Sequence, residues 1–529
     1  MNDSPDEPEA PKSTDPESPR AERTQRTRRR KRGKAAGITA GVLVLILGGY
    51  TAVDAYDLVP DLPGFLTTDP QIEVQTVPTP QAEAKDVPAP ASAVDDSAPV
   101  PTTVAKTVDA ILKDSKVKGF GLEVRDGLSD DVLYAKDETT PRTPASVTKV
   151  FTAAAALKSI GGQTRLATTT NFDESTNTLT LTGGGDPLLS AGDSDPASVN
   201  GHGGLRTLAE DTAAALKDDD VTEVTLNLDT SRYSGEDFAS GWERADIAKG
   251  VITPIQPLMI DTGYIGSKDR EWRARSEHPA KDALSAFAKE LKKAGIDVTG
   301  ADGDGGGDKD SASDSGGDSA DGANGADNTN GTDNADGTDN TNGTELARVE
   351  SATISEIVEY ALVHSDNVVA EVLGNEVAIA EGQDGSLTAG PKAVLSALGE
   401  TVDLGRTHLV DTSGLSYDNR IAPHDLTTVL QASVVADDSL AGLISYFPVG
   451  GLTGTLHDRF LDEKNASGIV HAKTGTLSTV TSLAGGVLDA EGRYLVFSIQ
   501  IDDVDKDKIL EARKTVDDIV TSLADCGCR

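Results

Sequence analysis

The chain has 529 residues, room for two or three domains, and carries 87 Asp and Glu against 48 Lys and Arg, a formal net charge of −39. Residues 1–34 hold ten basic and seven acidic side chains, so the acidity lies in the body that follows; this argues against nucleic acid as a partner, because phosphate binding needs clustered Lys and Arg. The two cysteines, Cys526 and Cys528, sit at the extreme C-terminus and the seven histidines are scattered without ligand spacing, which excludes a disulfide framework in the body and speaks against a metal enzyme.

"RTRRRKRGK" leads into Ala35–Val53, which is free of charge. About 19 residues at 1.5 Å rise span about 28 Å, close to the hydrocarbon thickness of a bilayer. The arginine cluster predicts a cytoplasmic tail at 1–34, a transmembrane anchor at 35–53 and a body exported beyond the membrane. The competing reading is a cleaved signal peptide with a long basic leader, and it exports the body as well. Residues 54–101, rich in Pro, Ala, Val and Asp, read as a semi-rigid stalk.

After the stalk, 102–114 has the pattern of an amphipathic helix, and "GFGLEVRD" with "DVLYAKD" predicts a strand pair. A helix is expected to start near Ser146 in "TPASVTKVFTAAAAL". From about 166 to 300 short alternating segments ("TLTLTGGGDP", "VTEVTLNLD") predict a β-rich inserted region. Residues 301–345 form a low-complexity Asp, Asn, Gly and Thr stretch with neither collagen nor EF-hand spacing, and read as a disordered surface insert. Helices return over 353–381, broken near Ser365. Three strands follow ("GIVHAKTGT", "TSLAGGVLD", "RYLVFSIQID"), and "KILEARKTVDDIVTSLAD" closes the chain as an amphipathic helix. Helices at both ends of an antiparallel sheet give an α+β catalytic domain over 102–165 and 346–525.

Three short motifs carry chemistry. Ser146-x-x-Lys149 alone is weak: about two such matches are expected by chance in this length, and Ser115-x-x-Lys118 is one. Ser365-Asp-Asn367 is also common, as Ser175-Thr-Asn177 and Ser198-Val-Asn200 show. Lys473-Thr474-Gly475 is rarer, and the force lies in the order: helix start, helix–helix break, strand. A serine hydroxyl needs a neighbour to take its proton. At the first turn of a helix Lys149 reaches Ser146, and burial lowers a lysine pKa so that its neutral amine acts as a base. Read singly, Ser146 caps the helix and Lys149 extends to solvent. Read together, Ser146, Lys149 and Ser365 are the candidate catalytic groups. Asn367, Lys473, Thr474, Gly475 and Thr476 are the candidate substrate-binding groups, with the backbone N–H groups of Ser146 and Thr476 as an oxyanion hole.

These motifs in this order resemble the penicillin-recognising serine acyl-transferases. "LTGGGDPLL" (181–189), "VDTSGLSYDNRIAP" (410–423), "FPVGGLTGTLHDRF" (447–460) and "HAKTGTLSTVTSLAGGVLD" (471–489) narrow the resemblance to the D-alanyl-D-alanine carboxypeptidase/endopeptidase family of the penicillin-binding protein 4 type. In that family extra domains lie between the first two motifs, which fits the 219 positions from Ser146 to Ser365 and is too many for a compact class A β-lactamase. The resemblance implies a β-lactamase-like transpeptidase fold and an acyl-enzyme. It also implies cleavage of the terminal D-Ala from peptidoglycan stem peptides, with endopeptidase action in some members. Inhibition by β-lactams and no cofactor go with it. A β-lactamase and a catalytically silent wall-binding protein are the alternatives.

Overall fold

The computed structural model describes residues 101–115, 117–266, 273–299, 343–435 and 438–527. The expected tail, membrane anchor and stalk, save Pro101, which opens the first helix, nearly all of the low-complexity insert and Cys528 lie outside these. No helix among the described residues is long and apolar enough to cross a membrane. Cys526 is disulfide-bonded.

Helix α1 (Pro101–Asp114) buries Val104, Val108 and Leu112, one face at i, i+4, i+8. Strands β1 (Phe120–Asp126) and β2 (Val132–Lys136) follow. A 3-10 turn at Ala145–Thr148 runs directly into α2 (Lys149–Ala156), every residue of which is buried. The four alanines Ala153–Ala156 keep this helix thin enough to sit at the centre of a helical layer.

The chain then leaves on β3 (Arg165–Asp173), β4 (Thr178–Thr182) and β5 (Asp186–Leu189). α3 (Leu205–Asp218), β6 (Glu223–Asp229), a short helix α4 (Ala245–Ala248), β7 (Leu258–Ile260), α5 (Pro279–Lys293) and β8 (Asp297–Thr299) complete the excursion, and β9 (Thr344–Thr353) brings the chain back. Sheet order is β8-β6-β4-β3-β9, with β4, β6 and β8 parallel and β3 antiparallel to both neighbours. The inserted region is thus a mixed sheet covered by α3 and α5, whose Leu208, Ala213, Phe287 and Leu291 share its core, and not merely β-rich. Parallel neighbours need crossovers, and helices supply them. β9 pairs with β3 along its length, from Arg165↔Thr353 to Phe172↔Thr344, so the strand expected to reopen the catalytic domain at 346 belongs to the inserted sheet, and the return falls at Ile354.

Helices α6 (Ile354–Val363), α7 (Asn367–Ala380), α8 (Gly390–Gly399) and α9 (Pro423–Val435) join α2 in one apolar cluster. Strands β10 (His471–Leu477), β11 (Val480–Leu488) and β12 (Tyr494–Ile501) complete an antiparallel sheet of order β10-β11-β12-β1-β2. The other face of this sheet is covered by α1 and the final helix α10 (Ile509–Ala524). β11 is buried at every position but its last, as a central strand between two helical layers must be. A smaller cluster of Trp242, Ile252, Ile255, Met259, Val368 and Val372 joins the inserted segment 242–259 to the first turns of α7.

Candidate active site

Ser146 lies in the 3-10 turn and Lys149 opens α2; the residue before the serine, Ala145, has φ +53°. A left-handed alanine costs about 1–2 kcal/mol, and the surroundings hold it. The turn is pressed from two sides by glycines. A Cβ on Gly475 of β10 would overlap Ser482 Oγ and lie 2.6 Å from the Pro144 carbonyl, and one on Gly414 would overlap the Ala145 carbonyl. Strand β10 and the loop around 411–416 therefore reach the serine only because both positions lack a side chain.

Lys149 is 1% exposed. Its Nζ lies 3.1 Å from Ser146 Oγ, 2.7 Å from Asn367 Oδ1 and 2.7 Å from the Ser413 carbonyl. Asn367 Nδ2 donates to the Val251 carbonyl at 3.1 Å, and a carbonyl only accepts, so the amide oxygen must face the lysine. Burial pushes the Lys149 amine down to about 8, against the opposing pull of Glu371, Asp366 and Asp411. A neutral amine has two N–H donors and one lone pair. Asn367 Oδ1 and the Ser413 carbonyl take the two donors, which leaves the lone pair for the Ser146 hydroxyl.

Ser365, in the break between α6 and α7, has φ +53°. It accepts a 2.9 Å hydrogen bond from Lys473 Nζ, which also donates to the Thr474 carbonyl at 2.8 Å. Lys473 is fully buried on the edge strand β10, and burial together with the charge of Lys149 drives its pKa well below the ordinary value. Thr474 hydrogen-bonds through its hydroxyl to Thr455 Oγ1 at 2.8 Å, and Thr476 is exposed further along β10. Asp366 caps α7, accepting from the Val368 and Val369 N–H groups, and pairs with Arg275 at 2.8 Å. Burial alone would raise its pKa; Arg275 and the helix N–H groups overcome that and hold it below the ordinary value.

The structure thus gathers the first two motifs on one lysine and joins the second to the third through Ser365 and Lys473. Sequence reasoning did not find the Ser413 and Val251 carbonyls, Thr455, Arg275 or Glu371, whose carboxylate accepts from the Thr412 and Ser413 N–H groups and so fixes the Ser413 peptide. "VDTSGL" stood out as a signature, and that was the available signal for the loop; nothing in a sequence marks a backbone carbonyl as a ligand. Asp411 serves the same loop, accepting from the Gly414 and Ser416 N–H groups and from Trp242 Nε1.

A hydroxyl beside a buried, deprotonatable amine, with a second serine–lysine pair within its electrostatic reach, is the equipment of a serine acyl-transferase. Residues 104–271 and 329–523 match the D-Ala-D-Ala carboxypeptidase 3 (S13) family, and the chain belongs to it. It is similar to a carboxypeptidase of Mycobacterium tuberculosis, 31% identical over 444 residues that make up 82% of this chain and 87% of the relative. It is similar also to the carboxypeptidase DacB of Mycolicibacterium smegmatis, 31% identical over 485 residues, 90% of this chain and 92% of the relative. Among solved structures, penicillin-binding protein 4 of Haemophilus influenzae matches with a TM-score of 0.58 at 20% identity, over 75% of this chain and 93% of that one, and shares the fold.

Proposed function

We propose that the protein is a serine-type D-Ala-D-Ala carboxypeptidase acting on peptidoglycan stem peptides. The observation that carries this reading is the Lys149 amine, buried, tied by two carbonyl acceptors and turned to Ser146 Oγ. The neutral amine takes the Ser146 proton as Oγ bonds to the carbonyl carbon of the penultimate D-Ala. The Ser146 and Thr476 N–H groups hold the developing oxyanion. The C–N bond then breaks. Ser365 passes a proton to the departing D-Ala nitrogen and recovers one from the lysine side, leaving an ester on Ser146 that water hydrolyses by the reverse route. Lys473 and Thr474 receive the substrate's terminal carboxylate. Gly475 keeps the strand within reach, and Asn367 holds both the lysine and the substrate amide.

β-Lactams meet the same hydroxyl through their strained amide, and a penicilloyl ester on Ser146 is expected to persist. The carboxylates that face Lys149 are engaged elsewhere: Glu371 by Thr412 and Ser413, Asp366 by Arg275 and α7, Asp411 by its own loop. Among the described residues none of these three is hydrogen-bonded to Ser146, which favours the carboxypeptidase reading over the β-lactamase alternative. The basic tail and the charge-free run at 35–53 support a body held on the wall side of the membrane by one N-terminal helix, with 54–101 as its stalk.

The test is to incubate wild type and Ser146→Ala with uncross-linked and cross-linked muropeptides and weigh the products. Wild type is expected to release terminal D-Ala and to label with a fluorescent penicillin, and the alanine variant to do neither. Retained hydrolysis in Ser146→Ala, or a wild type that neither labels nor releases D-Ala, overturns the reading. Cleavage of cross-linked dimers would add endopeptidase action.

A further inference from the structure

We propose that Arg275, contributed by the inserted domain, is a positioning residue for acylation: it holds the Asp366–Asn367 turn against the Gly250–Val251 peptide and so sets the orientation of the Asn367 amide and the charge beside Lys149. The inference rests on Ser146 and Lys149 forming the acylating pair.

The geometry is a double tie between two dipeptides. Arg275 Nε donates to the Gly250 carbonyl at 2.9 Å while one of its terminal nitrogens donates to Asp366 Oδ2 at 2.8 Å. One residue further along both chains, Asn367 Nδ2 donates to the Val251 carbonyl at 3.1 Å. Each tie fixes the spacing needed by the other. The guanidinium is itself over-determined: it donates to the Thr262 carbonyl at 2.5 Å and to the Tyr264 hydroxyl at 3.1 Å, and stacks 4.0 Å above the Tyr264 ring. Its backbone N–H donates to the Ile247 carbonyl at 2.9 Å. Gly250 has φ +74°, and a Cβ there would overlap the Arg273 carbonyl, so the peptide that receives Arg275 depends on a glycine. The side chains of Arg275 and Asp366 are 2% and 6% exposed. Only a bidentate, planar cation makes this set of bonds at once.

The clamp acts on the reaction through two routes. It keeps the Asn367 oxygen, rather than its NH2 group, on Lys149; a flipped amide would present a donor to the amine and draw its lone pair away from Ser146. It also balances charge. The charges of Glu371, Asp366 and Asp411 act on Lys149, and Lys149 and Lys473 act on each other. Asp366 in turn faces Arg275, Lys149 and Tyr360. Asp366 without its cation would favour the protonated amine, which is not a base.

The experiment measures acylation by a chromogenic β-lactam and D-Ala release from a diacyl peptide, from pH 6 to 10, in Arg275→Met, Arg275→Lys and Arg275→Met with Asp366→Asn, each with its melting temperature. Arg275→Met is expected to acylate about 10- to 100-fold more slowly at neutral pH, through kcat rather than KM, with its acid limb moved to higher pH. Arg275→Lys, which keeps the charge but cannot make the fork, should leave the limb near its wild-type position and still acylate several-fold slowly. The double variant, free of both charges, should return the limb to the wild-type position. Overturning results are wild-type rates and limbs in folded Arg275→Met, or rate losses in all three variants that merely follow the folded fraction with the limb unmoved. If wild type itself forms no ester on Ser146, the acylation reading fails first and separately.

Discussion

The protein has two serine–lysine pairs, close enough that the charge of Lys149 acts on Lys473, and they are built differently. Ser146 and Lys149 are three residues apart at the start of one helix, and the lysine is hemmed by carbonyl acceptors and acted on by the charges of three carboxylates. Ser365 and Lys473 come from separate elements 108 positions apart, and the neighbours that shift the Lys473 pKa include another lysine and no carboxylate. Both lysines are buried and both are pushed towards the neutral form: Lys149 to about 8, against the pull of its carboxylates, and Lys473 well below its ordinary value, by burial and the charge of Lys149. The first is poised to exchange a proton close to neutral pH. The second has no carboxylate among the neighbours that shift it, which suits a group that receives a substrate carboxylate.

The sharpest way to break the comparison is to exchange the lysines' fates. Lys149→Met should lower acylation by about 10³- to 10⁴-fold, the reach of a positioned base, measured as the rate of penicillin labelling at saturation. In wild type that rate should fall roughly tenfold per unit as pH drops below about 8, because the amine must be neutral to accept the Ser146 proton, and should level off above it. A flat profile down to pH 6 would remove Lys149 from the base role. Lys473→Met should act on recognition instead. A peptide with a free C-terminal carboxylate should lose about 10²-fold in kcat/KM, the cost of a truncated buried ion contact. Its C-terminal amide, already poor with wild type, should lose little more. Equal losses on both would make Lys473 part of proton transfer and erase the distinction. Smallest is Gly475→Ala: the added methyl meets Ser482 and the Pro144 carbonyl, so the Ser146 turn must retreat from β10. About 1–3 kcal/mol of stability by chemical denaturation and roughly tenfold in acylation are expected to go, with the Lys149 limb in place.

The difference between the pairs also explains what a reader of the sequence could see. Helical spacing exposes Ser146 and Lys149, and the order of motifs attaches Ser365, Asn367 and Lys473 to them. The alternation in β1, β4, β6 and β12 and the i, i+4 faces of α1 and α10 mark those elements in the same direct way. The partners that fix the lysine's lone pair, Ser413 and Val251, act through main-chain carbonyls, and every residue type has one. Arg275 is one arginine among many until the fold sets it against Asp366. In the inserted domain alternation was visible in "TLTLT", yet "LRTLAEDTAAALKD" also buries Leu205, Leu208, Ala209, Thr212, Ala213 and Leu216. That helical period was available and outweighed by the turn residues around it.

The chain departs for its second sheet on one strand and comes home on that strand's neighbour, with Arg165 and Thr353 side by side. Seen from the catalytic half, a detour of nearly two hundred positions is a doorway one ladder rung wide. Whatever length is spliced beyond the threshold leaves the frame of that doorway unchanged, so growth of the detour is nearly free, whereas slipping the register at its two posts would pull directly on the helix that leads to Ser365.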